Sequence, residues 1–294
     1  AESCFRSAVD SYQRAAEFGR SDPQLHESLA NALNSLMSLQ ASQLRSPESY
    51  LELALAAADH AQTASPSETT AAVQRAQSYL TVAKYLQANN PARVEARRKM
   101  IEAAIASGAQ ASSAHPEDSE PYRVTGEAYL LKAGLLSPAD DPAGFASAMD
   151  QAQVLINKAI SKDNQNLSLY ASLLNLYRTK ATTALTSGAD PTAIIDEGIN
   201  SFTPPESKDG QNEYLAQHLR DTDERYLHHM LAGVVSQELL KDLPRAQRAF
   251  LAGLRLLPKR EEAFERLRSA YAGQTETKEG AAALAGLLEE RLRE

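Results

Sequence analysis

Tryptophan is absent from this chain of 294 residues, and cysteine occurs once, at Cys4. A single cysteine excludes an internal disulfide bond and a zinc site built from several thiolates. No stretch approaches the roughly 20 consecutive apolar residues that a membrane-spanning helix needs. We therefore expect no direct membrane span. β-Branched residues nowhere alternate with polar residues over five positions, so we also expect no strands.

The familiar catalytic signatures are also missing. The chain has no phosphate-binding loop of the GxxxxGK[ST] or GxGxxG type, no GxSxG nucleophile, no HExxH helix and no CxxC pair. These absences predict a protein that is not an enzyme and holds no cofactor. A formal net charge of -8 argues against nucleic acid as a partner, because neutralising phosphates requires an excess of Lys and Arg.

Histidines are few, and their spacing does not indicate a metal site. His218 and His228 are on one face of a predicted helix but about 15 Å apart along it, too far for one ion. We interpret the charged cluster to which they belong as a solvated face with local ion pairs; its other members are Asp221, Asp223, Glu224, Arg225 and His229. His26, His60 and His115 are isolated in the sequence, and we expect surface or packing roles for them.

What the chain has in abundance is alanine, placed in a recurring pattern. Small or apolar residues spaced by four and then three positions are followed, five residues later, by a helix-breaking residue. The four copies are Ala54, Ala58, Ala61 and Pro66; Ala104, Gly108, Ala111 and Pro116; Ala152, Ile156, Ala159 and Asn164; Ala246, Phe250, Gly253 and Pro258. Such spacing marks one face of a helix and its end.

A tyrosine stands thirteen residues after each of these stops, as Tyr79, Tyr129, Tyr177 and Tyr271, and we expect it to pack between helices. The pattern resembles the tetratricopeptide repeat (TPR), in which a bulky residue, a small residue, a Tyr, an Ala, an aromatic residue, an Ala and a Pro recur over about 34 residues. The resemblance implies an all-α superhelix, here of six to seven antiparallel helix pairs. Related long-repeat helical arrays could also produce the pattern.

The stops at Pro23, Pro66, Pro116 and Asn164 are 43, 50 and 48 residues apart, so the repeats are longer than standard. We predict a single solenoid over 1–294, with an irregular loop near 201–212 and a capping helix near 277–293 that could instead pair with a second copy. The expected helices cover 5–20, 24–44, 47–63, 68–88, 91–113, 119–136, 142–161, 166–186, 191–201, 212–240, 243–256, 260–272 and 277–293. The dipeptides Ser46-Pro47, Asn90-Pro91, Asp141-Pro142 and Asp190-Pro191 are expected to start second helices, with the first residue as N-cap.

The resemblance also implies a groove lined by the first helix of each pair, which in this family typically binds a peptide segment. The bulky anchor of each repeat falls six residues after a stop, at Ala72, Tyr122, Tyr170 and Phe264 in the four copies. The groove-facing position falls five residues after each anchor, and five of its six occupants are polar. The candidate groove residues are Asn34, Gln77, Glu127, Asn175 and Ser269 in this column, with Arg123 and Arg178 beside it; the sixth column position is Val235. Polar residues here are equally expected on the solvent face of any soluble solenoid.

Family members that grip the carboxylate of chaperone tails use a Lys followed four residues later by an Asn. The corresponding pairs here are Arg123 with Glu127, Ala171 with Asn175, and Glu265 with Ser269. None reproduces that clamp, so a chaperone-tail adaptor is not predicted.

A second candidate surface is basic. Between Lys241 and Ala272 the chain carries eight Lys and Arg against four Asp and Glu. This segment could dock an acidic tail or a membrane surface, or its arginines could simply be solvated. The docking candidates are Arg245, Arg248, Arg255, Lys259 and Arg260.

Three functions remain open at this point. We expect an interaction scaffold that binds a protein or peptide, or a regulatory or sensor region of a larger signalling or secretion protein. A small-molecule carrier, with a pocket near 196–225, is the third. The chain starts with Ala, so we expect a processed protein or an excised segment. A cytoplasmic location is favoured, a periplasmic one stays open, and a homo-oligomer is possible.

Overall fold

The computed structural model describes residues 2–66, 70–164, 166–201, 223–239, 241–257 and 261–272. Within these ranges the chain is helical and forms no strand, which confirms the all-α prediction. The helices fall into two compact units, residues 1–164 and 165–294, which are described separately. The predicted capping helix near 277–293, and all of the predicted loop near 201–212 except Ser201, lie outside the described residues.

The described part of the first unit contains seven α-helices. They are α1 (Glu2–Phe18), α2 (Pro23–Ser42), α3 (Leu51–Ala64) preceded by a 3₁₀ turn (Glu48–Tyr50), α4 (Ala71–Asn89), α5 (Val94–Ala114), α6 (Glu120–Ala133) and α7 (Pro142–Lys162). Each helix contacts the next one, and in addition α2 contacts α4 and α4 contacts α6. The first helices of successive pairs thus form one layer, which is the TPR-like arrangement that the sequence predicts.

The second unit contains five described α-helices. They are α8 (Leu167–Thr186), α9 (Thr192–Asn200), α10 (Asp223–Val234), α11 (Leu243–Leu256) and α12 (Glu261–Ala272); a π-helical turn (Val235–Leu239) extends α10. Helix α8 contacts α9 and α10, and the chain continues through α11 to α12. Tyr226, Met230 and Phe250 lie at the centre of one core cluster of this unit.

The small residues of the recurring pattern form the helix interfaces. All twelve positions are buried, among them Ala58, Ala104, Ile156 and Phe250 with no exposed surface. Alanine costs no side-chain entropy in a helix and allows close approach of the neighbouring helix. The pattern therefore reports real core contacts, as the sequence predicts.

Two glycines within this packing have no room for a side chain. A Cβ on Gly108 of α5 would lie 2.0 Å from Oγ1 of Thr125 in α6, and one on Gly233 of α10 would lie 2.3 Å from the ring of Phe250. Both distances are below van der Waals contact. The packing of α5 against α6 and of α10 against α11 thus requires glycine at these two positions.

The repeat tyrosines pack as expected where they are described. Tyr79 and Tyr129 are half-buried and Tyr177 is buried. The Tyr177 hydroxyl donates a hydrogen bond to Glu197, 2.7 Å away. Burial, together with this bond and the charge of Glu197, raises the pKa of Tyr177.

Two of the predicted helix starts agree with the structure, and in both the capping residue bonds the first turn of the helix. The Asp141 carboxylate accepts from the Gly144 N–H at 2.8 Å, and α7 begins at Pro142. Asp190 likewise accepts from the Thr192 N–H, where α9 begins. Prolines after these caps lose no helical hydrogen bond.

Two of the predicted starts are displaced. Asn90 ends α4, its N–H donating to the Leu86 carbonyl, and a turn through Arg93 follows, so α5 begins only at Val94. After Ser46, Pro47 opens the 3₁₀ turn before α3. In both places the dipeptide marks a turn between helices. The Ser46 hydroxyl accepts from the Glu48 N–H at 3.3 Å, and the Asn90 backbone carbonyl accepts from the Arg93 N–H at 3.0 Å.

Candidate functional site

A polar groove crosses the layer formed by α2, α4 and α6 in the first unit. It has a volume of about 430 Å³. Its lining residues are Asn31, Asn34, Ser35, Ser38, Gln77, Leu80, Thr81, Lys84 and Arg123. On α2 and α4 they recur every three to four positions, so one face of each helix lines the groove. We call this surface the polar groove.

At the α2–α4 junction the polar groove rests on buried neutral hydrogen bonds. The Asn34 side-chain amide donates to the Gln74 carbonyl at 3.1 Å and to Gln74 Oε1 at 2.9 Å. The Ser78 hydroxyl donates to Asn34 Oδ1 at 2.7 Å. Asn34 is 6% exposed, so its main role is to join the two helices. A buried amide satisfied in this way fixes the register of the helices.

At the α4–α6 junction the same layer is joined by charges. Arg123 bonds Glu120 through Nε at 2.7 Å and Glu127 through Nη1 at 2.6 Å. Lys84 of α4 also contacts Glu127, and the Gln77 amide donates to Glu120 at 2.8 Å. The two cations and two carboxylates compensate each other. We call these five residues the ionic chain.

The electrostatics of Arg123 follow from this setting. Burial by itself lowers the pKa of the guanidinium, but the hydrogen bonds and negative charges of Glu120 and Glu127 outweigh it and raise the pKa above its usual range. Arg123 is thus positively charged at neutral pH. Its role in the free protein is to hold two carboxylates.

A second cavity, of about 620 Å³, adjoins the polar groove and shares Asn31 and Gln77 with it. Carboxylates dominate its far side: Glu117, Asp118, Glu120 and Asp163 line it together with one cation, Lys162. Lys162 is bonded to Glu117 at 2.7 Å. The lining thus changes from one that contains the cations Lys84 and Arg123 to one dominated by carboxylates towards the N-terminal end of α6.

The remaining groove candidates lie in the second unit. Arg178 donates to Asn175 Oδ1 at 2.6 Å, so these two neighbours on α8 bond each other. Ser269 of α12 is exposed. Val235 is 2% exposed and packs in a core with Ala181 and Ile195, which explains the apolar residue at that column position.

The basic surface is only partly described. Arg245 Nη2 donates to both carboxylate oxygens of Asp196, each 2.8 Å away. Arg248 and Arg255 are exposed and two turns apart on α11, and so lie on one face. Lys259 and Arg260 lie outside the described residues.

Sequence reasoning missed several groove residues. Asn31, Ser35, Ser38, Thr81 and Lys84 line the groove but follow no family column. Their signal was the helical spacing of polar side chains: Asn31 and Ser38 lie three and four positions from Asn34, Ser35 lies four from Asn31, and Thr81 and Lys84 lie four and seven from Gln77. That spacing identifies a face, but only the packing shows that two such faces adjoin.

No described group of three or more His, Cys, Asp or Glu side chains is arranged to hold a metal ion. His218 and Asp221 of the charged cluster lie outside the described residues. Among the described helices, none is long and apolar enough to cross a membrane.

Neither a protein-family model nor a curated protein matches this chain. Several solved structures are similar to it. The human IFIT1 dimer with PPP-AAAA is 12% identical, with a TM-score of 0.46, over 98% of this chain and 66% of that one. YrrB, a TPR protein with an unusual peptide-binding site, is 15% identical, with a TM-score of 0.45, over 88% of this chain and 98% of that one. The chain thus spans slightly less than two thirds of the length of IFIT1.

Proposed function

We propose that this chain is a non-catalytic scaffold that binds an extended segment of a protein or peptide in the polar groove. The observation that carries the proposal is a set of side chains without internal bonds. Asn31, Ser35, Ser38 and Thr81 line the groove and form no hydrogen bond to another described side chain or backbone group. Their donors and acceptors are therefore available to a ligand.

An extended peptide fits this chemistry because it offers a backbone donor and acceptor at every residue. Amide and hydroxyl side chains each donate and accept, so they can bond a backbone in a sequence-tolerant way. The nearby charges of the ionic chain already compensate each other, which disfavours a small charged ligand. Single-stranded RNA is disfavoured as well, because the adjoining cavity is acidic.

The probe is a peptide selected from a displayed random library by its binding to the purified full chain. Its binding is then measured by fluorescence anisotropy. The test variant Ser35→Arg/Thr81→Arg fills the groove from two exposed or half-exposed positions. The matched control, Ala109→Arg, adds the same side chain at an exposed position of α5. Circular dichroism verifies the folding of both variants.

We expect the groove variant to bind the peptide at least about tenfold more weakly, a loss of about 1.4 kcal/mol, and the control to bind like the unaltered chain. An RNA oligonucleotide is expected not to compete. Equal binding by the groove variant, or a library from which no peptide is enriched, would contradict the proposal.

A further inference from the structure

The fold brings together two histidines that are 34 residues apart in the sequence. His26 lies in the first turn of α2 and His60 lies on α3. Their ring centroids are 5.2 Å apart, with the ring planes at 32°. This juxtaposition is on a different part of the first unit from the residues that line the polar groove.

The hydrogen bonding of His26 fixes which ring nitrogen carries the proton. His26 Nε2 lies 3.1 Å from the backbone carbonyl oxygen of Arg20. A carbonyl oxygen can only accept, so Nε2 carries the hydrogen and donates it. In the neutral ring, Nδ1 is then the nitrogen with the free lone pair.

That Nδ1 atom is buried and has no hydrogen-bond partner among the described residues. The His26 side chain as a whole is 5% exposed. An unsatisfied buried acceptor is costly, and native proteins seldom retain one without a compensating interaction. A histidine that donates one ring N–H to a backbone carbonyl and presents the other nitrogen unprotonated has the arrangement common to metal-binding histidines.

The position of His60 fits a shared ion. A zinc-bound imidazole nitrogen lies about 2.1 Å from the metal, so two imidazoles at a tetrahedral angle on one ion have centroids about 5 Å apart. His60 is exposed, so its ring can rotate without disturbing the core. Imidazole nitrogens suit zinc and the neighbouring divalent transition metals, and not magnesium or calcium.

We propose that His26 Nδ1 and His60 bind a divalent transition-metal ion such as zinc. No third described His, Cys, Asp or Glu completes a ligand group there. Water fills the other coordination positions, and the ion ties α2 to α3.

The test is a Zn²⁺ titration of the full chain by calorimetry, with the melting temperature followed in parallel, because an ion that binds only the folded state raises it. The main variant is His60→Gln, at an exposed position that the fold tolerates. His115→Gln, at the end of α5, is the matched control, since it removes a histidine from another site. Mg²⁺ is the control ion.

We expect the affinity for one Zn²⁺ to fall at least about tenfold in His60→Gln, with loss of most of the zinc-dependent rise in melting temperature. His115→Gln should bind like the unaltered chain, and Mg²⁺ should have no effect. The proposal is wrong if His60→Gln binds zinc as the unaltered chain does, or if the unaltered chain binds none up to about 1 mM.

Discussion

The α2–α4 and α4–α6 junctions of the first-helix layer each bury a polar side chain, and they satisfy its hydrogen bonds with different chemistry. Asn34 and Glu127 occupy equivalent repeat positions, and both are buried at an interface with α4. Asn34 is satisfied by the neutral groups of Gln74 and Ser78, whereas Glu127 is satisfied by the cations Arg123 and Lys84. At these two junctions the repeat position is the same, and the neighbouring side chains decide how its buried polar group is satisfied.

This difference has consequences for stability. A neutral hydrogen-bond cluster does not respond to salt and has no charge to lose. A buried carboxylate depends on its cations, because an uncompensated charge in the interior is far more costly than an unpaired amide.

The largest effect is expected for Arg123→Ala, which leaves Glu127 and Glu120 without the cation between them. We expect a loss of about 3 kcal/mol in the free energy of unfolding, measured by urea denaturation. The matched control is Arg98→Ala, which removes an exposed, 3.6 Å ion pair with Glu95 and should cost less than about 0.5 kcal/mol. Similar losses in the two variants would show that the ionic chain does not stabilise the α4–α6 junction.

The next largest effect is expected for Asn34→Ala at the neutral junction. The change leaves the Ser78 hydroxyl without one acceptor and Gln74 without two donated bonds, and should cost about 2 kcal/mol. Asn31→Ala, on the exposed face of the same helix, should stay within about 0.5 kcal/mol of the unaltered chain. The same denaturation experiment compares the two, and equal stabilities would contradict the buried role of Asn34.

A smaller effect is expected for Lys84→Ala, because the Lys84 side chain is 51% exposed. Its removal should cost at most about 1 kcal/mol, and the cost should shrink in 1 M salt, where charges are screened over about 3 Å. The cost of Asn34→Ala should be unchanged in the same salt. A salt-independent loss for Lys84→Ala would mean that packing, and not charge, holds it against Glu127.

The smallest effect on stability is expected for the partly exposed ion pair of Glu48 with Arg93, which lies outside the α2–α4–α6 layer. The hydrogen bond from Arg93 lowers the pKa of Glu48 below its ordinary 4.5, against the opposing effect of partial burial. A lowered folded-state pKa contributes stability above about pH 4.5 that is lost as the pH falls through the folded value. Carboxyl NMR titration should give a higher Glu48 pKa in Arg93→Ala, and an unchanged value would refute the pairing.

Much of the fold could be predicted from particular residues. The four-then-three spacing of small residues located α3, α5, α7 and α11, and Asp141 and Asp190 located two helix starts within a residue. The start predicted at Asn90 was wrong, because asparagine is common both in turns and at helix N-caps, and here its backbone N–H ends α4. Asn34, Gln77 and Glu127 all lie in the α2–α4–α6 layer. That they bind a peptide stays a prediction.

Helix positions, most helix ends and the faces that pack are readable from the sequence, because they depend on residue spacing along one helix and on capping residues. Contacts between residues distant in the chain are not readable in this way. Only the packing showed that Asn34 bonds Gln74, that Lys84 reaches Glu127, and that His26 and His60 lie side by side. The period of a helix fixes which way a side chain points, but the rotation and spacing of the adjacent helix decide what it meets.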